Sequence, residues 1–276
     1  MTVRKLCSIL QRLLVYVFFA LVIGGFFVDY PFAWWLLFAP LVLSWAAGIA
    51  AGRSASRELA VAPRAPVEVR APVTGRWSAL NSPADKIPSH GVHVYGQTYA
   101  IDIVAEDERH PRPGFTWLWP LARRPERYPA FGADLVAVAD ATVVRAEDGQ
   151  RDHLSRSSLF GVLYLLLAEG ELRGLAGARR VVGNHVILDL GDGTYAAYAH
   201  VQRGSLAVRP GERVRAGQTI GRCGNSGNSS EPHVHFQLMD GPDLDSARGV
   251  PFRWAGVGVP ANGEEFTVAE ESAPAA

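Results

Sequence analysis

The sequence predicts a mostly β protein: a small antiparallel β-sheet or sandwich domain carrying one inserted helix, preceded by an N-terminal transmembrane helical hairpin. Three observations lead there. From Leu13 to Ala51 the only charged residue is Asp29. Further on, short β-branched runs alternate with Gly, Asn, Asp and Pro, the rhythm of strands joined by tight turns. A single apolar stretch rich in helix formers, Leu154 to Leu175, interrupts that rhythm.

The apolar segment comes first. As one helix it would reach roughly 58 Å, nearly twice a hydrocarbon core of about 30 Å. Asp29-Tyr30-Pro31 breaks it into candidate spans at about 13–28 and 31–51, with Trp34 and Trp35 suited to an interface. Apolar residues lie all around these helices, which argues against a buried core pair. A cleaved signal peptide, with Arg4 and Lys5 as its basic start, is the alternative for the first span. Arg4, Lys5 and Arg12 precede the hairpin and Arg53 and Arg57 follow it, so the positive-inside rule places both ends in the cytoplasm.

Residues 53–76, rich in Ala, Pro, Val and Arg, read as a linker feeding a first strand near Val67–Val73. The globular domain is expected over 77–255, with the inserted helix lying on the domain or on a membrane surface. Its strands are placed at Tyr99–Val104, Ala133–Ala146, Gly183–Leu190, Thr194–Val201, Glu212–Val214, Thr219–Cys223 and His233–Met239. The turn Asp189-Leu190-Gly191-Asp192-Gly193 pairs the strand of His185 with that of Tyr195–His200. Residues 256–276 are expected to be a flexible tail. Equal numbers of basic and acidic residues, 27 each, provide no field for a polyanion, and nucleic acid is not an expected partner. Cys7 and Cys223 stand in unrelated contexts and are not expected to pair.

Pro232-His233-Val234-His235-Phe236 is the sharpest local signal for chemistry. In a strand, residues two apart share a face, so the two imidazoles project side by side while Val234 and Phe236 enter the core. Such a pair can meet one metal or one substrate.

Seven segments extend this signal: Tyr99–Ile103, Gly183-Asn184, Tyr198-Ala199-His200, Gly204-Ser205, the turn series from Val208 to Gly221, Gly224–Ser229 and Glu231–Phe236. Taken in order they resemble the lysostaphin-type (LytM-like) zinc peptidoglycan endopeptidases, over roughly residues 99–240. The resemblance implies a small antiparallel sheet with a groove, and one zinc held by His, Asp and His beside two further histidines and an activated water. By position, His235 and Asp102 match metal ligands, and His200 and His233 match the catalytic histidines. The family's first ligand stands four residues before the aspartate, where this chain has Thr98. His93 is favoured for the vacant place because it is nearer and inside the expected strand; His90 is the alternative.

The function so implied is zinc-dependent metalloendopeptidase action on peptide bonds of bacterial peptidoglycan. The membrane hairpin would anchor the protein to the bacterial cell membrane, with its catalytic domain expected on the outer side. That side conflicts with the positive-inside reading. The rival is a non-catalytic domain of the same fold that binds cell wall or regulates another hydrolase, and Thr98 is the feature in its favour. His185 reads as a strand residue packed near the groove, His110 and His153 as surface residues, and Cys223 as a small core residue.

Overall fold

The computed structural model describes residues 3–61 and 64–269. The chain divides into two compact units near residue 63. The first holds helix α1, Val3–Gly24, a 3-10 turn at Trp34–Phe38 and helix α2, Ala39–Val61. Within it, the Ser44 hydroxyl donates to the Gln11 carbonyl at 3.2 Å and the Tyr30 hydroxyl to the Leu21 carbonyl at 2.9 Å. One helix, Trp34–Ser54, is long and apolar enough to cross a membrane; Ile9–Gly24 is a shorter apolar helix. The helical path breaks near the expected Asp29-Tyr30-Pro31. However, α2 runs on to Val61, well into the expected linker, because no Gly or Pro interrupts Arg53–Val61 and the next prolines stand at 63 and 66.

The second unit is mostly β. Its strands are β1 Val67–Val69, β2 Gly75–Leu80, β3 Ile101–Ala105, β4 Asp134–Val136, β5 Ala141–Glu147, β6 His185–Asp189 and β7 Tyr195–Ala199, followed by β8 Arg213–Val214, β9 Thr219–Arg222, β10 Val234–Met239, β11 Gly249–Val250, β12 Phe252–Trp254 and β13 Glu265–Val268. The main sheet runs β13-β2-β3-β10-β7-β6-β5-β8, antiparallel throughout, with β11 paired to β10. A small antiparallel pair, β4-β9, and a parallel pair, β1-β12, complete it. The hairpin β6-β7 is the one that the glycine turn predicts.

Alternation along β10 sets up the two faces. Val234, Phe236 and Leu238 point into the main core with Ile101, Ile103, Val186 and Tyr198. Phe236 meets Phe252, Tyr198 and Trp254 with ring centroids 5.1–6.0 Å apart, edge-on or tilted; such pairs contribute about 0.5–1.5 kcal/mol each beyond the area they bury. The opposite face carries Ile187, Ala197, Ala199 and Met239, covered by Ala178 and Val182 of the insertion. His235 lies on that second face.

The inserted helix is a broken series: α3 Leu159–Tyr164, a π turn at Leu165–Glu169, α4 Gly170–Ala176 and α5 Ala178–Val182. It starts later than residue 154 because Ser158 caps it, its hydroxyl accepting from Gly161 N–H at 3.0 Å. Two further boundaries differ from expectation. Gly75 and Arg76, read as linker, already belong to β2. Within the segment read as a flexible tail, β13 pairs with β2, and Phe266 turns inward against Trp254 at 5.5 Å between ring centroids. Phe266 and Val268 pack on the core and Arg76 bonds Glu265 across the pair, which together hold that short strand. The tail beyond residue 269 lies outside the described residues.

Candidate metal centre and catalytic pocket

Strand register assembles the site. His235 of β10 stands opposite Asp102 of β3 on one side and Ala199 of β7 on the other, so all three share a face. His200 follows Ala199 directly, at a φ of 60° that turns its ring back over the sheet. His233 precedes β10 by one residue and keeps the period of two with His235. The ring centroids of His200 and His233 are 4.8 Å apart, and those of His200 and His235 are 5.7 Å apart.

The fourth imidazole is His90. Its Nε2 lies 3.0 Å from Asp102 Oδ2, while His235 Nδ1 lies 2.9 Å from Asp102 Oδ1. The donor atoms of His90, Asp102 and His235 fall within 4.8 Å of one another, as do those of His200, His233 and His235. His93, the favoured first ligand, belongs to neither group; its Nδ1 is 3.1 Å from the hydroxyl of Thr98. The stretch expected to be a strand is a 3-10 turn, Val94–Tyr99, with φ values of 60° at Tyr95 and 75° at Gly96. That turn carries the chain back and delivers the more distant histidine to the aspartate.

Hydrogen bonds fix the orientation of each ring. Gln237 donates its amide N–H to the Tyr95 carbonyl at 2.7 Å, so its Oε1 faces His235 Nε2, 3.0 Å away, as an acceptor. His235 therefore donates from Nε2 to Gln237 and sets its Nδ1 against Asp102. Ser89 holds the other imidazole in place: its hydroxyl lies 3.0 Å from His90 Nδ1, which leaves Nε2 facing Asp102. Two ring nitrogens and a carboxylate thus converge in one buried corner of the pocket. Two imidazoles and one carboxylate are a donor set that suits zinc. Asn81 adds an outer contact, donating from Nδ2 to Asp102 Oδ2 at 2.8 Å.

The other two histidines are locked as well. His200 Nδ1 donates to the Ser226 carbonyl at 2.8 Å and His233 Nδ1 to the Glu231 carbonyl at 2.8 Å, so both present Nε2 to the pocket. His233 Nε2 is 3.4 Å from Asp102 Oδ1. Burial, followed by the nearby His233 and His235, holds His200 well below the usual imidazole range. Burial also pulls His233 down, but the Asp102 charge beside it prevails and raises it. For Asp102, burial works upward and is outweighed by His90, His233 and the hydrogen bonds, leaving the carboxyl well below its ordinary value.

Three non-glycine residues have positive φ among the described residues, Asn81, Tyr95 and His200, and all three serve this site. Strain concentrated in this way marks a site that its surroundings hold in place. His153, expected at the surface, is buried: its N–H donates to the Asn225 carbonyl, and its ring nitrogens lie 3.0 and 2.8 Å from the carbonyls of Leu154 and Gly227. With Asp152, which accepts from Asn225 N–H at 2.7 Å, it clamps the loop that supplies Ser226 and Ser229. Polar neighbours in sequence concealed that role. Gln237, by contrast, was accessible from the period of two. His185 is buried at the edge of the same face, His110 is exposed and Cys223 is a core residue.

The loop's seating depends on two glycines. A Cβ on Gly183, whose φ is +67°, would lie 2.6 Å from the Gly227 nitrogen and 2.7 Å from the Ser226 carbonyl oxygen. Gly183→Ala is expected to destabilise the domain by about 2–4 kcal/mol, from backbone strain plus overpacking. At this size that is a fall of roughly 5–15 °C in Tm by calorimetry. An unchanged Tm would show that the loop is free to move away.

Known proteins share parts of this chain. The glycyl-glycine endopeptidase ALE-1 of Staphylococcus capitis is 43% identical over 58 residues, 21% of this chain and 16% of that protein. The murein hydrolase activator NlpD of Escherichia coli is 28% identical over 142 residues, 51% of this chain and 33% of NlpD. The chain therefore spans a minor part of the length of these relatives. The catalytic domain of lysostaphin from Staphylococcus simulans superposes with a TM-score of 0.33 at 21% identity, covering 58% of this chain and 76% of that one. The pattern of Peptidase family M23 matches residues 167–246, the stretch that supplies His200, His233 and His235, whereas His90 and Asp102 precede it. Residues 167–246 are thus similar to Peptidase family M23.

Proposed function

We propose that this chain is a zinc-dependent metalloendopeptidase that hydrolyses peptide bonds in bacterial peptidoglycan. Zinc would be held by His90 Nε2, Asp102 and His235 Nδ1. The observation that carries the reading is the convergence of His90 Nε2 and His235 Nδ1 on the buried Asp102 carboxylate, their rings oriented by Ser89 and Gln237.

A bound zinc supplies Lewis acidity and an acidified water at a coordination position left open by three protein ligands. His200 and His233 face the same pocket as Asp102 and His235. Each has its Nδ1 proton committed to a backbone carbonyl, so each offers Nε2 to accept the water's proton, hydrogen-bond the developing oxyanion and return a proton to the leaving amine. Their rings are held by the Ser226–Glu231 loop and are thus oriented before substrate arrives.

Membrane anchorage by Trp34–Ser54 belongs to the same proposal. A single crossing there would remove the charge conflict of a hairpin and permit the domain to face the wall.

The rival is a non-catalytic regulator of another hydrolase, in the manner that the name of NlpD describes for that protein. Thr98 at the usual first-ligand position favours it. Digestion of purified cross-linked peptidoglycan by the full chain separates the two readings. The expected result is release of peptide fragments that stops with a zinc chelator and resumes on adding zinc. Zinc-loaded, folded protein that releases nothing would replace the enzyme by the regulator.

A further inference from the structure

The insertion and the loop 115–121 together expose an unusual amount of apolar surface. Trp117, Leu118 and Trp119 are 66–78% exposed, and Leu166, Leu167 and Leu172 are 58–73% exposed. The two segments form one structure. Thr116 N–H donates to the Ser157 carbonyl at 2.9 Å, Leu159 N–H to the Thr116 carbonyl at 3.1 Å, and the Ser158 hydroxyl to the Leu121 carbonyl at 2.7 Å. Arg123 and Ser155 exchange both backbone bonds, at 3.2 and 2.8 Å. Loop and helix thus hold their apolar side chains outward on a stitched base. None of these side chains belongs to either core cluster.

We propose that this protrusion inserts into the interfacial region of a lipid bilayer, docking the catalytic domain itself on the membrane. Three features favour lipid over other occupants. Neither Phe115–Leu121 nor Leu159–Ala168 contains a charged residue, and their Trp, Phe, Tyr and Leu content is that of segments which settle between headgroups and acyl chains. The flank that follows the loop is basic: Arg123, Arg124 and Arg127 stand against Glu126, which complements anionic headgroups, whereas Arg112 before the loop is engaged by Glu231. Finally, only residues 62–66 separate α2 from β1, so the domain is tethered close to an apolar helix long enough to cross a membrane. A short tether raises the effective concentration of lipid, and a modest insertion then suffices for stable docking. Because Arg156 N–H bonds the Ser230 carbonyl, the base of the protrusion adjoins the loop that positions His233, and docking would hold the pocket rim near the bilayer.

The inference rests on the proposed membrane anchorage, and spin labels distinguish the two. The full chain is prepared as Cys7→Ser; Cys223 is buried and its thiol pushed up by burial, so it escapes labelling. Single labels at Leu118→Cys, Leu167→Cys, Asp192→Cys and Leu43→Cys are reconstituted in phosphatidylglycerol–phosphatidylethanolamine vesicles and read by collision with oxygen and with a water-soluble nickel chelate. Labels at 118, 167 and 43 should collide severalfold more with oxygen, and the label at 192, on the β6-β7 turn, more with nickel. A lipid-exposed label at 43 with aqueous labels at 118 and 167 overturns the docking and leaves the anchor. An aqueous label at 43 overturns the anchorage, and the docking with it. Labels at 118 and 167 shielded from both reagents would mean that protein covers the surface, which also overturns the proposal.

Discussion

His90→Ala protein is expected to lose stoichiometric zinc, while His93→Ala protein retains one equivalent. Outer-shell partners of a metal cost about 10–100-fold in affinity when removed, so loss of one of three direct ligands should cost more than about a hundredfold. Asn81→Ala, which removes only the hydrogen bond to Asp102, should fall in the outer-shell range. Metal analysis after dialysis against a competing chelator orders the four proteins: wild type and His93→Ala loaded, Asn81→Ala partly loaded, His90→Ala empty. Zinc retained by His90→Ala and lost by His93→Ala would mean that the 3-10 turn at 94–99 is not the conformation that binds metal.

The contrast between these two histidines shows where sequence reasoning stops. Asp102 stands out by its resemblance to the family's aspartate and His235 by the His-x-His period, and strand alternation explains why both face away from the core. The β6-β7 hairpin was legible from its turn glycines, and the pairing of His233 with His235 from the period of two. His93 is favoured over His90 in the sequence because it is nearer and stands inside an expected strand, with a bend at Gly96 to bring it round. Positive φ at Tyr95 and Gly96 folds that stretch back, and a tyrosine in such a conformation has no sequence signature. The same holds for His153, whose burial depends on a loop more than 70 residues away in sequence. Elements made by alternation could be read from the chain; elements made by loops closing on loops could not.

Loss of the imidazole at position 200 should separate metal binding from catalysis. Asn tolerates positive φ better than other side chains, so His200→Asn removes Nε2 while retaining the backbone turn at 60°. If His200 handles protons beside the metal, this variant keeps one zinc and its fold, and kcat/KM on a cross-linked peptide falls by about 10²–10⁴. His233→Ala should fall by a similar factor, and the double variant by little more than either, because groups acting on one proton path are not additive. The measurement also decides between the two donor groups that share His235. Were zinc held by His200, His233 and His235 instead, His200→Asn would lose metal and His90→Ala would keep it. The approach of His90 Nε2 and His235 Nδ1 to the two oxygens of Asp102 favours the first group. In that group the carboxylate belongs to the metal's coordination, and His200 and His233 remain free to work on the water and the peptide.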